Sequence, residues 1–252
     1  MKMLLETGLL LKRRILETLR QPVWLFSGLM TPLLYIALFA PLLKNLGQVP
    51  LTTAAVLDSF VPGVLTLLAF GSGMGAGWVI IDDLHSGVVE RLRVSPASRF
   101  SLLMGTVLRD IITFAVPSVI VVFIAWIFGF AVHLGGLLLL LLLLCLLTAM
   151  ISAWSGSLGL IMKQVGSMAA VVTGLQLPLT LLSGVLLPIS LGPAWLRFIA
   201  HINPLYYTVE ASRKLAAGSA ANSETLAAFC VIVPLTAIAL AWATRVYQKA
   251  IA

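Results

Sequence analysis

The stretch LGGLLLLLLLLCLLTAMISAWSGSLGLIM, residues 134–162, contains no Asp, Glu, Lys or Arg. About 20 predominantly apolar residues suffice for a helix to cross a hydrocarbon core of about 30 Å. Backbone groups in that core find no water and must bond within their own segment, so an uncharged run of this length reads as a spanning helix. Outward from it in both directions, five more uncharged runs obey the same rule: 22–43, 59–81, 111–132, 164–196 and 225–244. Short segments between them hold nearly all the charge. The reading is an all-α integral membrane protein with six transmembrane helices, whose work concerns what crosses the membrane and what docks at its ends.

Composition agrees. Sixty per cent of the 252 residues are hydrophobic and 10% are charged, against about 25% charged in a soluble domain. Six spans and their connections use up most of this length, so no separate soluble catalytic domain is expected. The formal charge of +7 does not point to nucleic acid, because the charges cluster at membrane edges with no aromatic-interleaved patch. Their sidedness sets an orientation. With the N-terminus inside, Lys2, Lys12, Arg13, Arg14, Arg20, Arg91, Arg93, Arg99, Arg109, Lys163, Arg245 and Lys249 fall on the cytoplasmic side. Only Lys44, Arg197, Arg213 and Lys214 fall outside, and both termini are cytoplasmic. No cleaved signal peptide is expected, since the first apolar run begins only at Pro22, is longer than an h-region and lacks a small-x-small cleavage site. Cys145 and Cys230 lie inside predicted spans, in no CxxC or Cys/His pattern, and read as packing residues.

Along the chain, residues 1–20 carry Leu4, Leu5, Leu9, Leu16 and Leu19 near helical spacing, with Lys12, Arg13 and Arg14 as cationic heads. This predicts an interfacial helix on an anionic inner leaflet. The predicted spans are 22–43, 59–81, 109–132, 134–162, 165–189 and 225–244. Span two carries Gly71, Gly73, Gly75 and Gly77, two overlapping GxxxG pairs that predict close helix packing. The loop after it, 83–99, predicts a short cytoplasmic helix with Val88, Val89 and Leu92 on one edge, ended by Pro96. Such a helix suits docking into a groove on a soluble partner. Arg109 and Asp110 are adjacent near the inner end of span three, where local pairing is expected. Beyond Pro188, residues 190–215 carry Trp195, Phe198, Ile199 and Ile202, then the break Asn203-Pro204, then Tyr206 and Tyr207. The expectation is a helical hairpin dipping into the outer leaflet, with Glu210 and Arg213 paired on its exposed face.

Several chemistries are missing from the sequence. It has no GxxxxGK[ST] loop, no HExxH and no GxSxG. His85, His133 and His201 lie in three different loops, so no metal site is expected. No span centre carries a charged residue, which disfavours an ion-coupled secondary transporter. A membrane enzyme lacks a catalytic cluster.

In this frame the chain resembles the type-2 ABC exporter permeases, most closely the daunorubicin or drug-resistance kind. The segment DLHSGVVERLRVSPASR (83–99) is similar to the family's cytoplasmic coupling segment, with Gly87, Glu90, Leu92, Ser95 and Pro96 on its pattern and Arg91 and Arg93 between them. The segment LSGVLLPISLGPAWLRFIAHINPLYYTVEASR (182–213) is similar to its outer segment, with Trp195, Asn203, Pro204 and Tyr207 in order. The resemblance implies a permease that pairs with a second copy or a paralogue in a bacterial cytoplasmic membrane. Two ABC ATPase subunits would dock beneath, carrying the ATP and magnesium that this chain does not bind. Spans two and five would line the path, with Phe70 and Met74 on one and Gln176, Thr180 and Ser183 on the other. The outer segment would act as a gate in which Tyr206 and Tyr207 set its position. Hydrophobic or amphiphilic cargo, a drug or a lipid-like molecule, would leave the cell. A permease for polysaccharide or lipid-linked glycan is the alternative, with an ATPase-independent carrier behind it.

Overall fold

The computed structural model describes residues 2–20, 28–30, 32–34, 37–38, 53–93, 98–185, 189, 192–219 and 222–250, without the side chains of 2–5, 53–56, 92 and 93. Its helices are α1 (Lys2–Leu19), α2 (Thr53–Met74), α3 (Ala76–His85), α4 (Val88–Arg93), α5 (Arg99–Ile127), α6 (Leu134–Met162), α7 (Val165–Leu181), α8 (Ala194–Ala200), α9 (Pro204–Ala216) and α10 (Ser223–Ala250). The described residues contain no strand. Four helical segments are long and apolar enough to span: Leu57–His85, Arg99–Ile127, Leu134–Met162 and Ser223–Ala250. A fifth, Val165–Leu181, is apolar but shorter. The predicted span 22–43 lies mostly outside the described residues, though 28–30, 32–34 and 37–38 are helical.

The opening stretch forms the hub. Helix α6 packs against α2, α3, α5, α9 and α10. Leu140, Leu143, Leu144, Leu147 and Ile151 recur at three- and four-residue spacing and are buried, while Leu134, Leu138 and Leu142 face outward. The leucine run therefore serves both as packing and as lipid-facing surface. Past Leu147, α6 becomes small and polar, which lets backbones approach closely. The Ser155 hydroxyl donates to Met74 O at 2.6 Å and accepts from Gly77 N–H at 3.1 Å. A β-carbon on Gly73 would lie 2.8 Å from Ile151 Cβ, and one on Gly159 would lie 2.6 Å from Gly77 O. Opposite this contact, α5 exposes Val116, Val119, Ile120, Phe123, Trp126 and Ile127 as one apolar stripe toward lipid.

Element ends differ from the sequence reading in three places. Helix α5 begins at Arg99, earlier than 109, because the Ser98 hydroxyl caps it by accepting from Ser101 N–H at 3.1 Å. The uncharged run is only its outer part. Helix α7 stops at Leu181, short of 189, and Gly184 then takes φ 77, a conformation open to glycine without strain. Span two is two helices meeting at Gly75, which keeps helical dihedrals of φ −59 and ψ −25.

Candidate functional site

A cavity of about 410 Å³ lies between α2, α5 and α7, within the range of small-molecule sites. Each wall is a stripe at helical spacing. Val64, Leu67, Leu68, Gly71, Ser72 and Gly75 form the first, Arg109, Thr113 and Pro117, with Asp110 beside them, the second, and Gln176 and Thr180 the third. Gly28 and Pro32 of the first apolar run and Thr18 of α1 also line it. Of the expected path residues, Phe70, Gln176 and Thr180 line this cavity. Met74 and Ser183 are buried away from it; Ser183 Oγ donates to Thr180 O at 2.6 Å.

The four glycines of span two divide between two tasks. Gly73 and Gly77 make the close packing against α6, whereas a β-carbon on Gly71 would meet nothing within 4 Å. Gly71 and Gly75 face the cavity, so within this chain only one of the two GxxxG pairs is a packing motif.

Arg109 and Asp110 do pair, at 2.7 Å, but deeper than their sequence position implied. They stand about 15 Å along the axis from the start of α5, at about 1.5 Å per residue. Asp110 has no exposed surface; its second oxygen accepts from Ser152 Oγ at 2.6 Å. Arg109 Nε donates to Thr18 Oγ1 at 3.0 Å. The span interior therefore does carry charge, contrary to the reading from run boundaries. The signal was the Arg-Asp dipeptide itself, which looked terminal only because the run was taken to start after it.

The segment with the coupling motif is built as expected at its start. Gly87 turns the chain at φ 69 from α3 into α4, a six-residue helix. Glu90 and Arg91 are exposed. Val89, expected on the exposed edge, is instead buried against Ile80, Leu102, Leu103 and Val107, because α4 folds back onto the inner ends of α3 and α5. Ser95 and Pro96 lie outside the described residues, as do the side chains of Leu92 and Arg93. Both roots of the segment are held by α1: Arg14 pairs with Asp83, and Glu6 Oε2 accepts from Ser98 N–H at 3.1 Å. Arg14 was expected among the cationic heads at the leaflet. It points inward, at 11% side-chain exposure, because Asp83 is the nearby buried carboxylate it neutralises. Leu9, Leu16 and Leu19 are exposed on α1, as a membrane-facing stripe requires.

At the other end of the bundle, the outer segment is two helices, α8 and α9, joined at Asn203. Trp195, Phe198, Ile199 and Ile202 are exposed. Asn203 caps α9 by accepting from Leu205 N–H at 3.0 Å, and Pro204 takes the first turn, where a missing N–H costs nothing. The Asn203 side-chain amide also donates to Leu179 O at 2.7 Å, near the end of α7. Arg213 pairs with Glu210 at 3.3 Å, as expected, and further donates to Gly184 O at 2.7 Å and Ser59 O at 3.4 Å. It thus ties α9 to α2 and to the turn after α7, a role the sequence did not reveal. Tyr206 and Tyr207 pack against His201, the first tilted and the second edge-on, with ring centroids 4.9 and 6.3 Å from it. Among the described residues no group of His, Cys, Asp or Glu could hold a metal ion.

Comparison with known proteins agrees with this architecture. The family described as ABC-2 type transporter matches residues 6–216. The ycf38 protein of Cyanophora paradoxa, named as a transport permease, is 33% identical over 219 residues, 83% of this chain and 73% of that protein. The daunorubicin resistance ABC transporter permease protein DrrB1 of Streptomyces coeruleorubidus is 25% identical over 231 residues, 90% of this chain and 81% of that one. DrrC of Mycobacterium tuberculosis, named for doxorubicin resistance, is 28% identical over 250 residues, 92% and 86% of the two chains.

Proposed function

The chain belongs to the ABC-2 type transporter family and is a multi-pass membrane permease of an ABC transporter; from that premise we propose that it exports a hydrophobic or amphiphilic compound, driven by ATP hydrolysed on a separate subunit. The observation that carries this is the mostly apolar cavity with polar groups on α5 and α7, beside the α1–α4 assembly that bears the coupling motif. Two ATPase subunits, each with ATP and magnesium, dock on α4. Six spans, counting 22–43, place both termini in the cytoplasm of a bacterial cell. The cavity walls favour a drug-like or lipid-like cargo over a polysaccharide, and the relatives named for daunorubicin and doxorubicin resistance support the same class.

Docking is tested through Glu90 and its neighbours. With the cognate ATPase co-expressed, Glu90→Ala/Leu92→Ala is expected to weaken co-purification, or to cut transport per ATP hydrolysed, by about tenfold or more, the loss of one strong interface contact. Membrane insertion stays normal. Full transport with normal ATPase binding would remove α4 from the coupling path.

A second permease copy is proposed to cover α7. Only Met168 and Val172 of this helix are buried, and Gly166, Ala170 and Gly174 form an exposed small-residue stripe of the kind that brings two membrane helices together. With Cys145 and Cys230 removed, Ala170→Cys is expected to cross-link two chains in native membranes. A monomeric particle with bound ATPase in mild detergent would count against the pairing.

A further inference from the structure

The cavity is not uniform. Its outer part is walled by Val64, Leu67, Leu68 and Pro117, and its inner end by Arg109. Arg109 and Pro117 are two helical stripe positions apart, about 12 Å along α5. Among the described residues, the inner end exposes donors and no charged acceptor. Asp110 is fully buried, with one oxygen on Arg109 Nη1 and the other on Ser152. Arg109 has five N–H groups. Nε is spent on Thr18 and Nη1 binds Asp110, whereas Nη2 has no partner among the described residues. The side chain keeps 16% exposure where it borders the cavity. Across the cavity, Ser72 adds a hydroxyl to the lining.

A partly exposed guanidinium with spare donors, beside a carboxylate that has no exposed surface, selects the sign of its ligand. An anionic head accepts directly from Nη2, and a phosphate or carboxylate matches the planar fork. A quaternary ammonium meets no exposed anionic group there and faces the positive side of the pair. We propose that the Arg109 end of the cavity is a headgroup site for an amphiphile with a phosphate or carboxylate head, whose apolar part lies along Leu68 and Pro117. This rests on the reading of the cavity as the transport path and narrows its cargo. The same chemistry describes an anionic inner-leaflet lipid and an exported anionic amphiphile.

The test uses the purified full chain in phosphatidylcholine nanodiscs, with empty nanodiscs as blank. Dodecyl phosphate and dodecyltrimethylammonium, which share one tail, are titrated by calorimetry. Saturable binding of dodecyl phosphate is expected, at least about tenfold tighter than the ammonium probe. Arg109→Gln alone strands a buried carboxylate, so the informative variant is Arg109→Gln/Asp110→Asn, which removes both charges. It is expected to keep its helical circular dichroism and to bind both probes within about threefold of each other. Gly71→Leu, which fills the cavity, is expected to lose both probes. Native mass spectrometry of protein from cells separates the sources. An anionic phospholipid retained by wild type and lost in the double variant makes the ligand a membrane lipid. Dodecyl phosphate binding without retained lipid makes it cargo. Equal binding of the two probes to wild type, abolished by Gly71→Leu, would overturn the headgroup site and leave the transport reading intact. An unchanged preference in the double variant would do the same. No binding of either probe would overturn both.

Discussion

Gly71→Leu is expected to stop transport without harming the fold, whereas Gly77→Leu is expected to destroy the fold. Both glycines lie on the same span, six residues apart, and neither takes an unusual backbone conformation. What separates them is what a side chain would meet. At Gly71 nothing lies within 4 Å, and the new side chain projects into the cavity. Replacing a helix-interior glycine also relieves a propensity cost of about 1 kcal/mol. The melting temperature should therefore hold or rise while transport drops by about tenfold or more, the scale set by a steric cost of about 1–3 kcal/mol on the cargo. At Gly77 even a β-carbon would lie 2.8 Å from Ser155 O and collide with the Met168 side chain. Backbone cannot yield there, because Gly77 N–H is bonded to Ser155 and α6 is the hub. Overpacking by several carbons against backbone exceeds about 3 kcal/mol, a large part of a marginal stability of about 5–15 kcal/mol. Size-exclusion profiles and melting curves of the two variants decide it. Equal damage would mean that Gly71 packs against protein and that the cavity is not open.

Arg14→Ala is expected to destabilise the inner end of the bundle by about 3–5 kcal/mol, the usual cost of stranding one member of a buried ion pair. Arg14 and Asp83 are only 11% and 10% exposed. Removing both, as Arg14→Met/Asp83→Leu, should recover most of that loss, because no unpaired charge remains. Stability and coupling then separate. The double variant folds, yet one of the two ties between α1 and the roots of α4 is gone, so hydrolysis should proceed with less transport per ATP. Additive destabilisation by the two single substitutions, measured by thermal melting, would show that the pair does not act as a unit.

The spans were legible because lipid imposes one strong rule on the backbone, and 134–162, 225–244 and most of 59–81 obey it visibly. Helix ends were less so. Ser98 starts α5 through one side-chain hydrogen bond, and a run drawn by absence of charge cannot see a cap. That misplacement put Arg109 and Asp110 at a boundary when they belong to the cavity wall. Glycine spacing announced close packing on span two but could not say which pair packs, since all four fit GxxxG and only the position of α6 distinguishes Gly73 and Gly77. On α9, the Glu210–Arg213 pair followed from i,i+3 spacing. The further bonds of Arg213 to Gly184 and Ser59 are tertiary, and nothing local encodes them. Phe70, Gln176 and Thr180 were placed on a common path by resemblance, and the geometry brings them to one cavity.

The central claim is that this permease moves an amphiphile through the α2–α5–α7 cavity at the expense of ATP on a partner. Its most direct test is transport in proteoliposomes containing the permease and its cognate ATPase, with a fluorescent amphiphile loaded on the ATP-accessible face. The account predicts movement to the opposite compartment that requires hydrolysable ATP, stops with a non-hydrolysable analogue and is lost in Gly71→Leu while ATPase binding persists. Movement that proceeds equally without ATP, or that Gly71→Leu leaves unchanged, would contradict it.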